Sequence, residues 1–421
     1  MQRRLNKMAE DRKAKYKAMA EDPWPDSMEM IFGGQRLIYE KVTWKIGETI
    51  KGLRYGDNPG MPSALYRLVN GNLAFGDVQT IKPGKYLVSD AELLQSGKHP
   101  GKTNLTDVDN ALNILRWLDP GESAAVIVKH GNPCGVAAGS DLADAYRKAD
   151  LADRIAAFGG GIALNQPMDM DTARAIADNY AEIVAAPEFE EGTMGILEKR
   201  KNLRVMRVRG MEDLIEYRNW RVPEFKSLID GGLVVQLSQE IQTRSTADFV
   251  PASTVYKGDN YVSEVTATQA QLEDVLFALQ VEIGVMSNSV LFVKDKATVA
   301  IGAGGQDRVG IVVQAAEKAY RNTAETIAWT RFGKKVDELQ HNQARRIQEE
   351  VAAMQGGLAG SASYSDAFYP FRDGVDAGLD KGVAIVGQPG GSDKDYEAIQ
   401  ACNEAKKPMV FTKSGERLFK H

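Results

Sequence analysis

A lysine and a histidine stand side by side at the end of an apolar run, Ala125-Val126-Ile127-Val128-Lys129-His130-Gly131-Asn132-Pro133-Cys134-Gly135. An imidazole accepts a proton near neutral pH, while an ammonium beside it disfavours a second positive charge and can steady an oxyanion. The pair suits acid–base work, above all acyl or formyl transfer to a weakly nucleophilic amine. A lysine closing a strand and a histidine on a surface loop is the ordinary alternative, and this stretch alone does not choose between them. A deaminase-type zinc centre needs H-x-E and P-C-x-x-C. Here 130–132 read His-Gly-Asn and the third residue after Cys134 is Ala137. One Cys and one His argue against catalytic zinc, and no Asp-His or Asn-His pattern can be assigned to make Cys134 a nucleophile.

Other stretches could hold an anionic small ligand. Leu53-Arg54-Tyr55-Gly56-Asp57-Asn58-Pro59 is a loop whose Arg offers a planar fork for a phosphate and whose Tyr offers a ring for stacking. Glycine loops occur at Phe158-Gly159-Gly160-Gly161 and Ala303-Gly304-Gly305-Gln306-Asp307-Arg308. Neither has the G-x-G-x-x-G spacing of a dinucleotide fold or the G-x-x-x-x-G-K-[ST] of a P-loop.

The elements that must position these residues are legible in outline. The β-branched run before Lys129 reads as a buried strand that Gly-Asn-Pro ends in a tight turn, and α/β proteins bind ligands at the carboxyl ends of such strands. Helical spacing covers Asp107 to Leu118, Asp141 to Leu151 and Ser263 to Val281. Residues 64–75 read as a hairpin turned by Asn70-Gly71. The charged stretch from Asn322 to Met354 reads as solvated helices, and Gln2 to Ala20 as a charged helix stopped by Pro23 and Pro25.

One order of elements occurs twice. A strand ending in Lys (Val126–Lys129; Val290–Lys294) leads to a glycine loop, a helix and a Phe-bearing loop (Phe158; Phe368). A strand with Pro (Glu182–Pro187; Gly382–Pro389), a helix and a last strand follow. Long-period self-similarity of this kind suggests a duplicated α/β unit. The expected division is an N-terminal helical arm over 1–44, a first unit over 45–226, a connection over 227–262 and a second unit over 263–421.

With 421 residues, 43% of them hydrophobic and 26% charged, the chain can bury sizeable cores. A net charge of −5 argues against a general nucleic-acid binder. No apolar run reaches the ~18 residues of a membrane span. Two distant cysteines make no disulfide framework and, with no export signal, point to the cytoplasm.

Taken together, the motifs Arg54-Tyr55-Gly56-Asp57-Asn58-Pro59, Lys129-His130-Gly131-Asn132-Pro133-Cys134-Gly135, Phe158-Gly159-Gly160, Ser287-Asn288-Ser289, Gly302 to Arg308, Ser365-Asp366-Ala367-Phe368-Tyr369-Pro370-Phe371-Arg372-Asp373 and Arg417-Leu418-Phe419 follow the order of one family. From about residue 45 to the end, the chain resembles the transformylase part of the bifunctional purine-biosynthesis enzymes, AICAR formyltransferase joined to IMP cyclohydrolase. The resemblance implies transfer of a formyl group from the co-substrate 10-formyltetrahydrofolate to the 5-amino group of AICAR. It implies two tandem cytidine-deaminase-like three-layer αβα units and a homodimer with interface active sites. No catalytic metal is implied, while a structural monovalent cation is allowed. Lys129 and His130 match the catalytic pair. Arg54, Tyr55, Gly159, Asn288, Arg308, Phe368 and Arg417 match nucleotide positions, with Glu182 and Lys201 placed only by their distance from Pro187. Asp373 matches the folate contact, which Phe368 and Asn288 would share.

The chain also departs from the family pattern. The cyclohydrolase domain is expected to be missing, so that IMP ring closure would fall to another protein. The family's Asn-Pro-His-Gln reads Asn58-Pro59-Gly60-Met61, and Glu182 stands where Asp is typical. A related formyltransferase or cyclohydrolase activity in the same pocket, and a nucleotide-binding subunit without catalysis, are the competing readings.

Overall fold

The computed structural model describes residues 18–75, 78–79 and 82–421. Most of the expected N-terminal helix lies outside the described residues. From Ser27 the chain is a hairpin, Ser27–Phe32 against Gln35–Lys41, so the helical arm expected over 1–44 is replaced by strands there. The chain forms two compact units, each discontinuous in sequence. The first comprises 1–112 and 160–240, the second 113–159 and 241–421.

The first unit holds three parallel strands, Gly161–Leu164, Ile183–Ala186 and Arg204–Arg207, with Glu92–Gln95 antiparallel beside the last. Short apolar strands of this kind, buried along their whole length, are what parallel sheets require. Helix Met170–Ala177 connects the first two strands and is capped by Asp169, whose carboxylate accepts from the Thr172 N–H. Asn70-Gly71 does not turn a hairpin. Tyr66–Asn70 pairs with Gln35–Lys41, and the Gln35 side-chain amide takes both the N–H and the C=O of Ala74, which the expected hairpin would need.

Eight strands of the second unit lie in one sheet. Val290–Lys294 and Ala297–Gly302 form one hairpin, Ser123–Lys129 and Asn132–Gly139 another, and Ala297–Gly302 joins the two through Asn132–Gly139. Ala362–Ser365, Ile385–Gln388 and Met409–Thr412 run parallel, and Phe249–Pro251 lies antiparallel to the last. Residues 227–262, expected as a connection, therefore contribute a sheet strand and the hairpin Ser253–Tyr256 with Asp259–Val262. Helix Leu142–Ala152 starts at the Asp141 cap. Its carbonyl at Ala149 comes so close to Gly135 that a Cβ there would sit 2.0 Å away. The charged stretch from Asn322 to Met354 falls in the long helix Arg308–Phe332 and in His341–Ala353. It is not solvated all round, because Ala324, Ala328, Ile347 and Val351 form a buried cluster.

Candidate functional site

The Lys129-His130 strand end differs from expectation in one respect. It is a hairpin turn and not the carboxyl end of a parallel strand. Lys129 pairs with Asn132, leaving His130 and Gly131 as a two-residue turn with φ of +55° and +77°. Such turns suit the right-handed twist of paired strands but demand left-handed backbone at both positions, which a histidine adopts at a cost. The Lys129 ammonium donates to the carbonyl of Phe158 at 2.7 Å, which ties it to the glycine loop at Gly159. Asn132 reaches the other way, and its side-chain oxygen accepts from the Met286 N–H at 3.0 Å. The turn and the Ser287-Asn288-Ser289 loop are thus fastened to each other inside one unit.

Asn288 donates from Nδ2 to Gly305 O (3.0 Å) and accepts at Oδ1 from Arg308 Nη2 (2.9 Å). Both ends of its amide are already engaged, so it is less free to address a carboxamide than its residue type suggests. Arg308, 8% exposed, also donates to Ser289 O at 2.8 Å and pairs with the fully buried Asp366. Asp366 accepts from Ser287 Oγ as well, and its carbonyl accepts the Leu418 N–H at 2.9 Å. That last bond holds the C-terminal arm, on which the Arg417 guanidinium lies 4.7 Å over the Phe368 ring. Asn288, Arg308, Phe368 and Arg417 therefore belong to one network, with Asp366 at its centre. Asp373 is exposed in the first turn of helix Arg372–Leu379, and its carboxylate is bonded to the Gly374 N–H. Nearby, burial and then the Asp366 charge push the Glu282 carboxyl well above its usual range.

The remaining candidates lie in the first unit. Arg54, 5% exposed, covers the Tyr55 ring at 4.4 Å and donates to its hydroxyl at 2.9 Å. A short loop supplies the acceptors. Lys98 O takes Arg54 Nη1 (2.9 Å), Pro100 O takes the Arg54 N–H (2.9 Å), and His99 O takes Nε and Nη2 of the buried Arg204 (3.3 and 3.2 Å). Glu182 Oε2 accepts from Asn104 Nδ2 at 2.9 Å and faces Arg204 Nη1 at 3.4 Å. His99 fixes the loop: its Nε2 bonds Gly52 O at 2.7 Å, its Nδ1 meets Ser96 Oγ at 3.1 Å, and its ring stands edge-on to Trp44. Burial first, and then the charges of Lys51, Arg54 and Arg204, lower its pKa. Arg54, Tyr55 and Glu182 are thus brought together around Arg204, while Lys201 lines a cleft with Tyr180.

Sequence reasoning missed His99, Asn104, Asn132 and Arg204. Arg204 had a signal, a charged residue at the head of the buried run Arg204-Val205-Met206. The others act through backbone carbonyls and amides, which residue types do not announce.

The fold and these two groups of side chains define an α/β protein whose units each hold a polar, arginine-centred candidate ligand site. The chain belongs to the AICARFT/IMPCHase bienzyme family, which it matches over residues 2–318. It is 37% identical over 377 residues to the bifunctional purine biosynthesis protein PurH of Bradyrhizobium diazoefficiens, covering 89% of this chain and 60% of that protein. The PurH of Persephonella marina is 35% identical over 373 residues, covering 88% and 59%, and that of a Ruegeria species 35% identical over 380, covering 89% and 60%. The chain spans about 60% of the length of these relatives. No helix among the described residues is long and apolar enough to cross a membrane.

Proposed function

We propose that this chain transfers the formyl group of 10-formyltetrahydrofolate to the 5-amino group of AICAR, giving FAICAR and tetrahydrofolate. The amine nitrogen attacks the formyl carbon, a C–N bond forms, and the bond from that carbon to N10 breaks. His130, exposed at the tip of its turn, accepts the amine proton. Lys129 steadies the formyl oxygen and returns a proton to N10. The observation that carries this reading is the fastening of the Lys129-His130 turn, through Asn132, to the loop of Asn288 and Arg308. Arg417 over Phe368 supplies a guanidinium for a nucleotide phosphate. Mixing the protein with AICAR and 10-formyltetrahydrofolate and following tetrahydrofolate release tests it. Binding without release would leave a nucleotide-binding subunit, and IMP formed from FAICAR would reveal cyclohydrolase activity.

The same reading takes the two units as copies of one ancestral cytidine-deaminase-like unit, supported by three parallel strands and one antiparallel neighbour in each. It takes the protein as a cytoplasmic homodimer. In support, the hairpin Pro223–Ser227 with Leu233–Leu237 leaves Ile229, Leu233 and Val234 exposed, more apolar surface than an isolated two-stranded ribbon keeps stable in water. A structural monovalent cation would need hard oxygen donors. The Ser287 and Ser289 hydroxyls and the Asp366 carboxylate fit that description, and no step is routed through such an ion.

A further inference from the structure

The first unit holds a cleft of about 460 Å³ to which the transfer reading gives no task, a size usual for small-molecule sites. Strand periodicity builds its first wall. Side chains two apart share a face, so Leu37 and Tyr39 of strand Gln35–Lys41 stand beside Tyr66 and Leu68 of strand Tyr66–Asn70, with Tyr39 paired to Leu68. The other face of these strands is polar, where Arg36 pairs with Glu29 and Arg67 with Asp90. Helix Lys102–Leu115 supplies the second wall through Leu105, Thr106 and Asp109, and Val222 to Phe225 form a lip. The Phe32 ring stands edge-on to Phe225 at 6.3 Å and steadies that lip. An antiparallel sheet ordinarily packs its apolar face on a core. Here Tyr39, Tyr66 and Leu68 stay half-buried over open space.

The polar groups on these walls restrict what could fill the space. Tyr66 Oη donates to Pro25 O at 2.7 Å and Tyr86 Oη to Leu68 O at 2.7 Å, so those two hydroxyls are engaged. The Tyr39 hydroxyl has no partner among the described residues, and burial raises its pKa, which keeps it a neutral donor. A charge of either sign meets its like in the cleft. Lys85 lines it, with its ammonium already held by Asp213 at 3.4 Å and Glu216 at 3.0 Å, and Asp109 lines it as well. A charged ligand would also exchange its water for walls of leucine and tyrosine, which cannot offset the desolvation.

We propose that this cleft binds an uncharged, planar aromatic molecule carrying a hydrogen-bond acceptor, which the Tyr39 hydroxyl addresses. The rings of such a molecule lie against the tyrosine and leucine walls, and its carbonyl oxygen or ring nitrogen accepts from the phenol. Fluorescence titration of the full chain with prodan, a neutral naphthyl ketone, tests this without any turnover. Saturable binding with a blue-shifted emission is expected. Thr106 is exposed on its helix, so Thr106→Trp should keep the wild-type circular dichroism while filling the cleft, and prodan should bind about tenfold or more weakly. Tyr39→Phe removes only the hydroxyl and should weaken binding about two- to tenfold, the range of one hydrogen bond. Ile50→Trp, at an exposed position outside the cleft, should bind as wild type. Methyl naphthoate should displace prodan. Naphthoate and naphthylmethylammonium, with the same rings and a charge of either sign, should displace it about tenfold or more weakly than the ester. No saturable binding, unchanged affinity in Thr106→Trp or Tyr39→Phe, equal loss in Ile50→Trp, or a charged competitor as strong as the ester would overturn the proposal. Failure here leaves tetrahydrofolate release untouched, so the two readings fall separately.

Discussion

The two units handle a buried arginine in opposite ways. In the first, Arg204 is fully buried and is held by His99 O twice and by a Glu182 carboxylate that is 37% exposed and 3.4 Å away. Among the described residues, Arg54 beside it has carbonyls and a phenol as partners. Burial, followed by the partly offsetting Glu182 charge and the Arg54 charge, lowers the Arg204 pKa. In the second, Arg308 sits directly on a buried carboxylate, Asp366, with Glu282 close by. Neutral acceptors fix a guanidinium but leave its charge for a ligand, whereas a carboxylate cancels it. On the proposed reading the first unit receives an anion through Arg54, whereas in the second Arg308 is a strut that orients Asn288 and the charge for chemistry comes from Lys129 and Arg417.

The sharpest way to break that contrast is Asp366→Asn. It leaves Arg308 buried without a counter-charge, so the second unit should lose about 3–5 kcal/mol, read from urea midpoints. A loss under 1 kcal/mol would mean that the pair is not the centre of the network. Arg204→Met, which preserves bulk but strips His99 O of its donors, should cost less, about 2–3 kcal/mol. Arg204→Lys should recover only part of it, because one ammonium cannot reproduce the fork on that carbonyl. A full rescue by lysine would show that charge alone matters.

A smaller effect separates the units by pH. His99 has a lowered pKa in the folded state, so the unfolded chain binds more protons below its ordinary value of about 6.5. The first unit's stability should be fully present above that pH and decline as pH falls through it toward the folded value. Protection of the amides of residues 96–100 against hydrogen exchange, relative to the unstructured rate at each pH, should fall on acidification, and His99→Asn should flatten the profile. An unchanged slope in the variant would remove His99 as the cause. Smallest of all, His130→Gly relieves a left-handed residue and should stabilise the hairpin by up to about 1 kcal/mol while abolishing transfer. A destabilised variant would mean that the imidazole packs for structure.

Much of the scaffold was legible because apolar runs and caps act locally. The parallel strands around Val184 and Val386 fell where the runs lay, and Asp141 began its helix where an N-cap should. Long-range pairing was not legible. Nothing in Asn70-Gly71 says that the strand before it will prefer Gln35–Lys41, and the Gln35 amide that decides the matter is 39 residues from Ala74. The candidate site shows the same limit. Lys129, His130 and Arg54 announce themselves by charge and spacing, whereas Arg417 is placed only by the family resemblance. The loop of Lys98, His99 and Pro100 works through three carbonyls, and no motif around its histidine marks it.

On the proposed reading, the turn at Lys129 and His130 moves the proton when the formyl group changes nitrogen. Tetrahydrofolate release by wild type and by His130→Ala, at saturating AICAR and equal folded fraction, tests it most directly. The rate should fall about 10²–10⁴-fold, the range for a lost general base, with AICAR affinity kept. A variant that releases tetrahydrofolate within a few fold of wild type would contradict the account.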